Sequence, residues 1–151
     1  MKALTIWQPW ATLIAEGCKP YEFRKWIAPR AMVGQRIAIH AGARTVKKDE
    51  VKGLILQLQA EGSLGTALDV EPSLALLERV LAGMALPMSA VVCTGVLGTP
   101  IRGVDIPGQP QDSDRLDHHV WGWPITEIRR LEPPAPAKGL QGFWDWRGEE
   151  P

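Results

Sequence analysis

A block of helical spacing interrupts a chain whose apolar residues otherwise alternate, and that interruption limits the folds open to it. Between Val46 and Glu61, the residues Val51, Leu54, Ile55 and Leu58 recur at one-face intervals, and a second helix is predicted near Pro72 to Ala82 with Leu74, Leu77 and Leu81 inward. Strand signals lie on both sides. ALTIW (Ala3 to Trp7), Lys19 to Trp26 and GQRIAIHA (Gly34 to Ala41) precede the block, while SAVVCTGVL (Ser89 to Leu97), VWGWPITEIR (Val120 to Arg129) and GFWDW (Gly142 to Trp146) follow it. Trp10, Leu13 and Ile14 add a short helix from Pro9 to Glu16, stopped by Gly17. The expected fold is α+β, mostly β: a small, mostly antiparallel barrel of about five or six strands with two or three helices at its rim. A chain of 151 residues is expected to form one domain, 1–151, with a helical insertion over about 46–87.

Cys18 and Cys93 lie far apart in sequence and make no disulfide framework, so both are read as free thiols of a reducing compartment. No apolar run is long enough to span a membrane, and MKALTIWQPW lacks a signal-peptide core, so a cytoplasmic protein without membrane contact is expected. Net charge is zero, yet the first 48 residues hold nine Lys and Arg against two acids, a surplus of seven that the remainder balances. An anionic ligand would therefore meet the N-terminal segment if its cations share one surface. Scattered, solvated cations are the alternative.

GCKPYEFRKW (Gly17 to Trp26) concentrates the chemistry. Glu22 and Arg24 stand two apart on a strand, so they share a face and can pair. The structural reading is an ion pair that cannot be split without leaving a buried charge alone. In the functional reading, Arg24 holds a phosphate or carbonyl in its fork and Lys19 supplies charge or a base, with Glu22 as its partner. Arg36 and His40 share a face of the next strand, and His40 is a candidate proton carrier. After the turn at Gln8-Pro9, the helix N-terminus at Pro9 to Ala11 offers free backbone amides to an anion. The seven tryptophans are mostly core, although the pairs Trp121/Trp123 and Trp144/Trp146 each share a face on which a base could stack. Cys18 beside Lys19 is read as a small buried thiol rather than a nucleophile. Asp114, Asp117, His118 and His119 have metal-ligand chemistry, but neighbouring histidines on an extended chain point apart, so no metal is expected. With no glycine-rich phosphate loop, nucleophile elbow or Rossmann fingerprint, no cofactor is expected either.

The segments ALTIWQPWATLIAEGCKPYEFRKW, GQRIAIHAGA, AVVCTGVL and VWGWPITEIRRLEPPAPAKGLQGFW resemble the ASCH domain, a member of the PUA-like superfamily of small β-barrels. The match rests on QPWA followed by the pattern GxKxxExR at Gly17, Lys19, Glu22 and Arg24. The resemblance implies a cleft beside the first helix that takes RNA or a nucleoside-like ligand, with Gln8, Pro9, Trp10, Lys19, Glu22, Arg24, Trp26, Arg36 and His40 as candidate ligand-binding residues. Bacterial relatives are described as a ribonuclease or as an amidohydrolase acting on N4-acetylcytidine. In the amidohydrolase branch, a Lys matching Lys19 works with a Thr where this chain has Glu22, which leaves Glu22 as a general base toward water. Three readings stay open: binding of single-stranded RNA or a modified base, hydrolysis of RNA or an acylated nucleoside with Lys19 and Glu22 catalytic, and a protein-interaction domain that docks a partner through Arg102 to His118.

Overall fold

A computed structural model describes residues 1–108 and 120–149. The strands β1 (Lys2–Ile6), β2 (Tyr21–Arg24), β3 (Arg36–Ala41), β4 (Ala90–Leu97), β5 (Ile101–Arg102), β6 (Trp121–Pro136) and β7 (Phe143–Asp145) form one mixed sheet. Its order is β2-β6-β4-β3-β1-β7, with β5 also paired to β6, and it curls into a half-barrel. Among the described residues all strand pairs are antiparallel except β1 with β3. The helices are α1 (Trp10–Ala15), α2 (Lys48–Glu61) and α3 (Val70–Leu81).

Alternation fixes which side chains enter the barrel. Leu4 and Ile6 of β1, Ile37 and Ile39 of β3, and Trp123 and Ile125 of β6 form the interior, and Ala11 and Ile14 of α1 close one end. Each large aliphatic side chain fully withdrawn from water contributes about 2 kcal/mol. The opposite face is covered by a second group in which Ala3, Ala38, Val91 and Leu131 pack with Trp144 and Trp146. A third core joins α2 and α3 to Leu13 and Cys18, so the helical pair leans on the α1 end of the barrel.

Pro124 sits where β6 changes partner. Residues Trp121 to Pro124 pair with β2, and Ile125 to Pro136 pair with β4, so the missing amide falls at a changeover. Past Arg129 the strand runs on through the proline-rich segment to Pro136. The two-residue β5, Ile101 and Arg102, runs into the start of the segment Arg102 to His118, read from sequence as a polar loop. The DxxDHH cluster and the rest of that loop from residue 109 lie outside the described residues.

No helix is long and apolar enough to cross a membrane, and no group of three or more His, Cys, Asp or Glu among the described residues is placed to hold a metal ion. Both cysteines are buried free thiols. Burial pushes the Cys18 thiol up and that of Cys93 up to about 12, the reverse of nucleophile activation.

A cationic cleft between the barrel mouth and the helical pair

The turn after α1 aims Lys19 inward. Gly17 adopts φ +75°, which glycine tolerates best, and the amides of Cys18 and Lys19 then both donate to the Leu13 carbonyl, at 2.8 and 3.1 Å. The Lys19 side chain thereby ends only 6% exposed, with Nζ 5.9 Å from the centre of the Trp10 ring and 5.0 Å from that of Phe23. Its ammonium donates to the Tyr21 carbonyl and lies 3.3 Å from Glu22 Oε2. Burial drives the Lys19 pKa below its usual value, a shift that the Glu22 carboxylate opposes.

Glu22 bridges two cations. Its Oε1 accepts from Arg24 Nε at 3.1 Å, and Arg24 Nη2 donates to the Thr5 carbonyl at 3.1 Å, which ties β2 to β1. Arg24 Nη1 has no partner among the described residues. Opposite Glu22 across the ladder stands Trp123, whose buried Nε1 also lacks one. A buried donor without a partner marks a place for water or a ligand acceptor.

Lys19, Glu22 and Arg24 line a cleft of about 550 Å³ together with Thr5, Ile6, Trp7, Trp10 and Phe23. Its far wall is Gln57 of α2 and Gly65 and Thr66 of the α2–α3 connection. This volume falls in the range of small-molecule sites. Sequence reasoning left Trp7, Gln57 and Thr66 out of the site. Nothing local in the helical block signals that its connection returns to the barrel mouth, whereas Trp7, directly ahead of the QPWA segment, was open to notice.

The other candidates lie elsewhere. Gln8 is fully buried and spends its amide on α1: Oε1 accepts from the Thr12 amide at 3.0 Å, and Nε2 donates to Thr12 Oγ1 and the Pro87 carbonyl, both at 2.7 Å. The Ala11 amide donates to the Trp7 carbonyl at 3.2 Å, so α1 does not present the row of free amides that its sequence offers. Pro9 is buried at the start of α1 and does not line the cleft. Trp26 covers the seam of the half-barrel, edge-on to Trp123 at 4.6 Å and to Phe143 at 6.2 Å. Arg36 pairs across the sheet with Thr94 Oγ1 at 3.1 Å, the Glu127 carbonyl at 2.9 Å and its carboxylate at 3.3 Å. His40 is 2% exposed, with Nδ1 3.2 Å from Thr5 Oγ1 and Nε2 2.8 Å from the Ala137 carbonyl. A carbonyl only accepts, so Nε2 carries the hydrogen.

The tryptophan pairs do not form base platforms. Trp123, Trp144 and Trp146 are buried in the two barrel cores, and Trp121 packs against the interior. The surplus of N-terminal cations is likewise spread over several faces. Lys2 pairs with Asp145 at 2.9 Å, Arg36 with Glu127 and Arg44 with Glu50 at 2.8 Å, which leaves Lys19 and Arg24 as the cations of the first third that line the cleft.

Residues 4–82, from β1 through α3, match the ASCH domain profile, a span of more than half the chain that contains every cleft residue named above. The chain belongs to the ASCH domain family. Solved structures similar to this ASCH domain include the ASCH protein of Zymomonas mobilis, at 14% identity and a TM-score of 0.47 over 89% of this chain and 72% of that one. Two single-substitution variants of the same protein match with the same identity and TM-score. No curated protein gives a significant match.

Proposed function

We propose that this ASCH domain binds an RNA-type ligand, a nucleotide or modified base within single-stranded RNA, in the cleft between β1, β2 and the α2–α3 connection. The observation that carries the reading is the Lys19–Glu22–Arg24 triad. Withdrawing charges from water costs more than their attraction returns unless every polar atom is paired, and Lys19 and Glu22 are almost fully withdrawn, so a triad that served only the fold would be a costly one. Here it opens on a cleft with a guanidinium nitrogen to spare. A fork aimed at a phosphate or base carbonyl suits that spare donor, and Trp10 and Phe23 give the flat apolar walls that a base requires.

With Lys19 and Arg24 as the cleft-lining cations among the described residues, salt dependence should be shallow: a slope of log K on log salt of about −1.4, given ~0.7 per phosphate for single strands. Fluorescence anisotropy of a labelled single-stranded RNA at two salt concentrations tests this with wild type and Arg24→Ala. The expected outcome is a modest salt slope and a loss of about tenfold or more in the variant, the weight of a charged hydrogen bond. Affinity indifferent to both salt and Arg24 overturns the reading.

Hydrolysis in the same cleft is a second reading, favoured by the lowered Lys19 pKa, which makes neutral amine more accessible beside a carboxylate. The endpoint samples run on a denaturing gel decide it. Cleavage present in wild type and absent in Lys19→Ala establishes Lys19 in the chemistry, and intact RNA throughout removes ribonuclease action.

A further inference from the structure

The cleft has an inner and an outer aromatic zone, and the outer one has no role in the triad. Trp10 and Phe23 surround Lys19, itself 6% exposed, whereas Trp7 stands at the mouth 59% exposed. A single exposed ring is ordinary on a protein surface, but this one lines the cleft.

Trp7 is also held in place. The Arg44 guanidinium lies 4.7 Å from its ring centre, and Arg44 Nη2 is anchored 2.8 Å from Glu50 Oε1 in the first turn of α2. That bond holds the Glu50 carboxyl below its usual pKa. Beneath the indole edge runs the backbone at Gly42, where an added Cβ would come within 3.3 Å of Trp7 Cδ1, and the Gly42 amide donates to the Ile6 carbonyl at 3.0 Å. The ring is thus contacted by a cation and approached by main chain, yet Trp7 stays 59% exposed. A ring fixed before binding loses little freedom when a base stacks on it, and a neighbouring cation adds to its attraction.

We propose that Trp7, backed by Arg44, is a second base-stacking subsite, so that the ligand is an oligonucleotide of at least two units rather than a free nucleoside or mononucleotide. One unit enters the inner zone at the triad, and its neighbour lies across Trp7. This rests on the reading of the cleft as an RNA site and specifies the ligand class within it. Stacking tolerates any base, so the outer subsite adds affinity without sequence preference.

Calorimetric titration of the wild-type chain, Trp7→Ala and Trp7→Phe with ribonucleoside monophosphates and with diribonucleotides tests the assignment, with circular dichroism confirming that the variants are folded. The dinucleotides should bind wild type about tenfold or more tightly than the mononucleotides, and Trp7→Ala should lose that increment alone while Trp7→Phe keeps part of it. Equal affinity of wild type for both ligand lengths, or a Trp7→Ala variant that keeps the increment, overturns the second subsite and leaves the triad reading standing. Wild type that binds neither ligand overturns the triad reading and the subsite with it.

Discussion

Two clusters of polar side chains flank β1, and they differ in what they leave unmet. In the cleft, Lys19, Glu22 and Arg24 hold each other around one carboxylate but leave Arg24 Nη1 without a partner among the described residues and face open volume. On the outer face, Thr5 Oγ1 accepts from Trp144 Nε1 at 3.1 Å, lies 3.1 Å from the Leu140 carbonyl and meets His40, whose other nitrogen reaches Ala137. Gly139 is pressed so close that a Cβ there would lie 2.5 Å from the imidazole. The outer cluster is closed to ligands. Burial of a polar residue therefore does not mark a site, and a partner left unfilled beside a cavity does.

The strongest attack on this contrast is Glu22→Ala. It leaves Lys19 and Arg24 adjacent without their shared carboxylate, and about 3 kcal/mol of stability should be lost together with RNA binding, read by urea denaturation and anisotropy. His40→Ala should cost about 2–3 kcal/mol through a cavity and lost hydrogen bonds, yet leave RNA affinity where it was. If it abolished binding while the fold held, the two faces of β1 would be one site.

The smallest effect is a pH dependence confined to the cleft. Burial lowers the Lys19 pKa from 10.5, so between the two values the unfolded chain binds more protons and this residue's contribution to stability rises with pH. The stability difference between wild type and Lys19→Met should thus move in favour of wild type from about pH 7 to about pH 10, by no more than about 1.4 kcal/mol per unit. Both raised thiols act in the opposite direction but equally in the two proteins, so urea midpoints compared pairwise isolate Lys19.

Periodicity carried the architecture. The stripe Val51, Leu54, Ile55, Leu58 is the buried face of α2, and SAVVCTGVL is a strand buried along nearly its whole length. The pairing of Glu22 with Arg24 also followed from strand geometry alone. Same-face logic could not say which face of β3 meets the cleft, and Arg36 and His40 fell on the other one. For Gln8, the signal was present and local: Thr12 stands four residues on, at the spacing where a side chain can satisfy the start of a helix. The wall formed by Gln57 and Thr66 depends on packing between elements distant in sequence, which no window along the chain contains.

The half-barrel has a seam. β2 ends the sheet on one side and β7 on the other, and between them Trp123 stacks on Phe143 at 5.8 Å with Trp26 edge-on to both. Rings, rather than a ladder of backbone hydrogen bonds, bring the two edges together, and β2 pairs with only four residues of β6. The guanidinium of Arg24 on the Thr5 carbonyl is a single stitch from that loosely attached strand to β1. A ligand that grips Arg24 while resting on Trp7 would span the same gap and act as a splint. A ligand held there would stabilise the attachment of β2, because whatever binds the folded form shifts the folding equilibrium toward it.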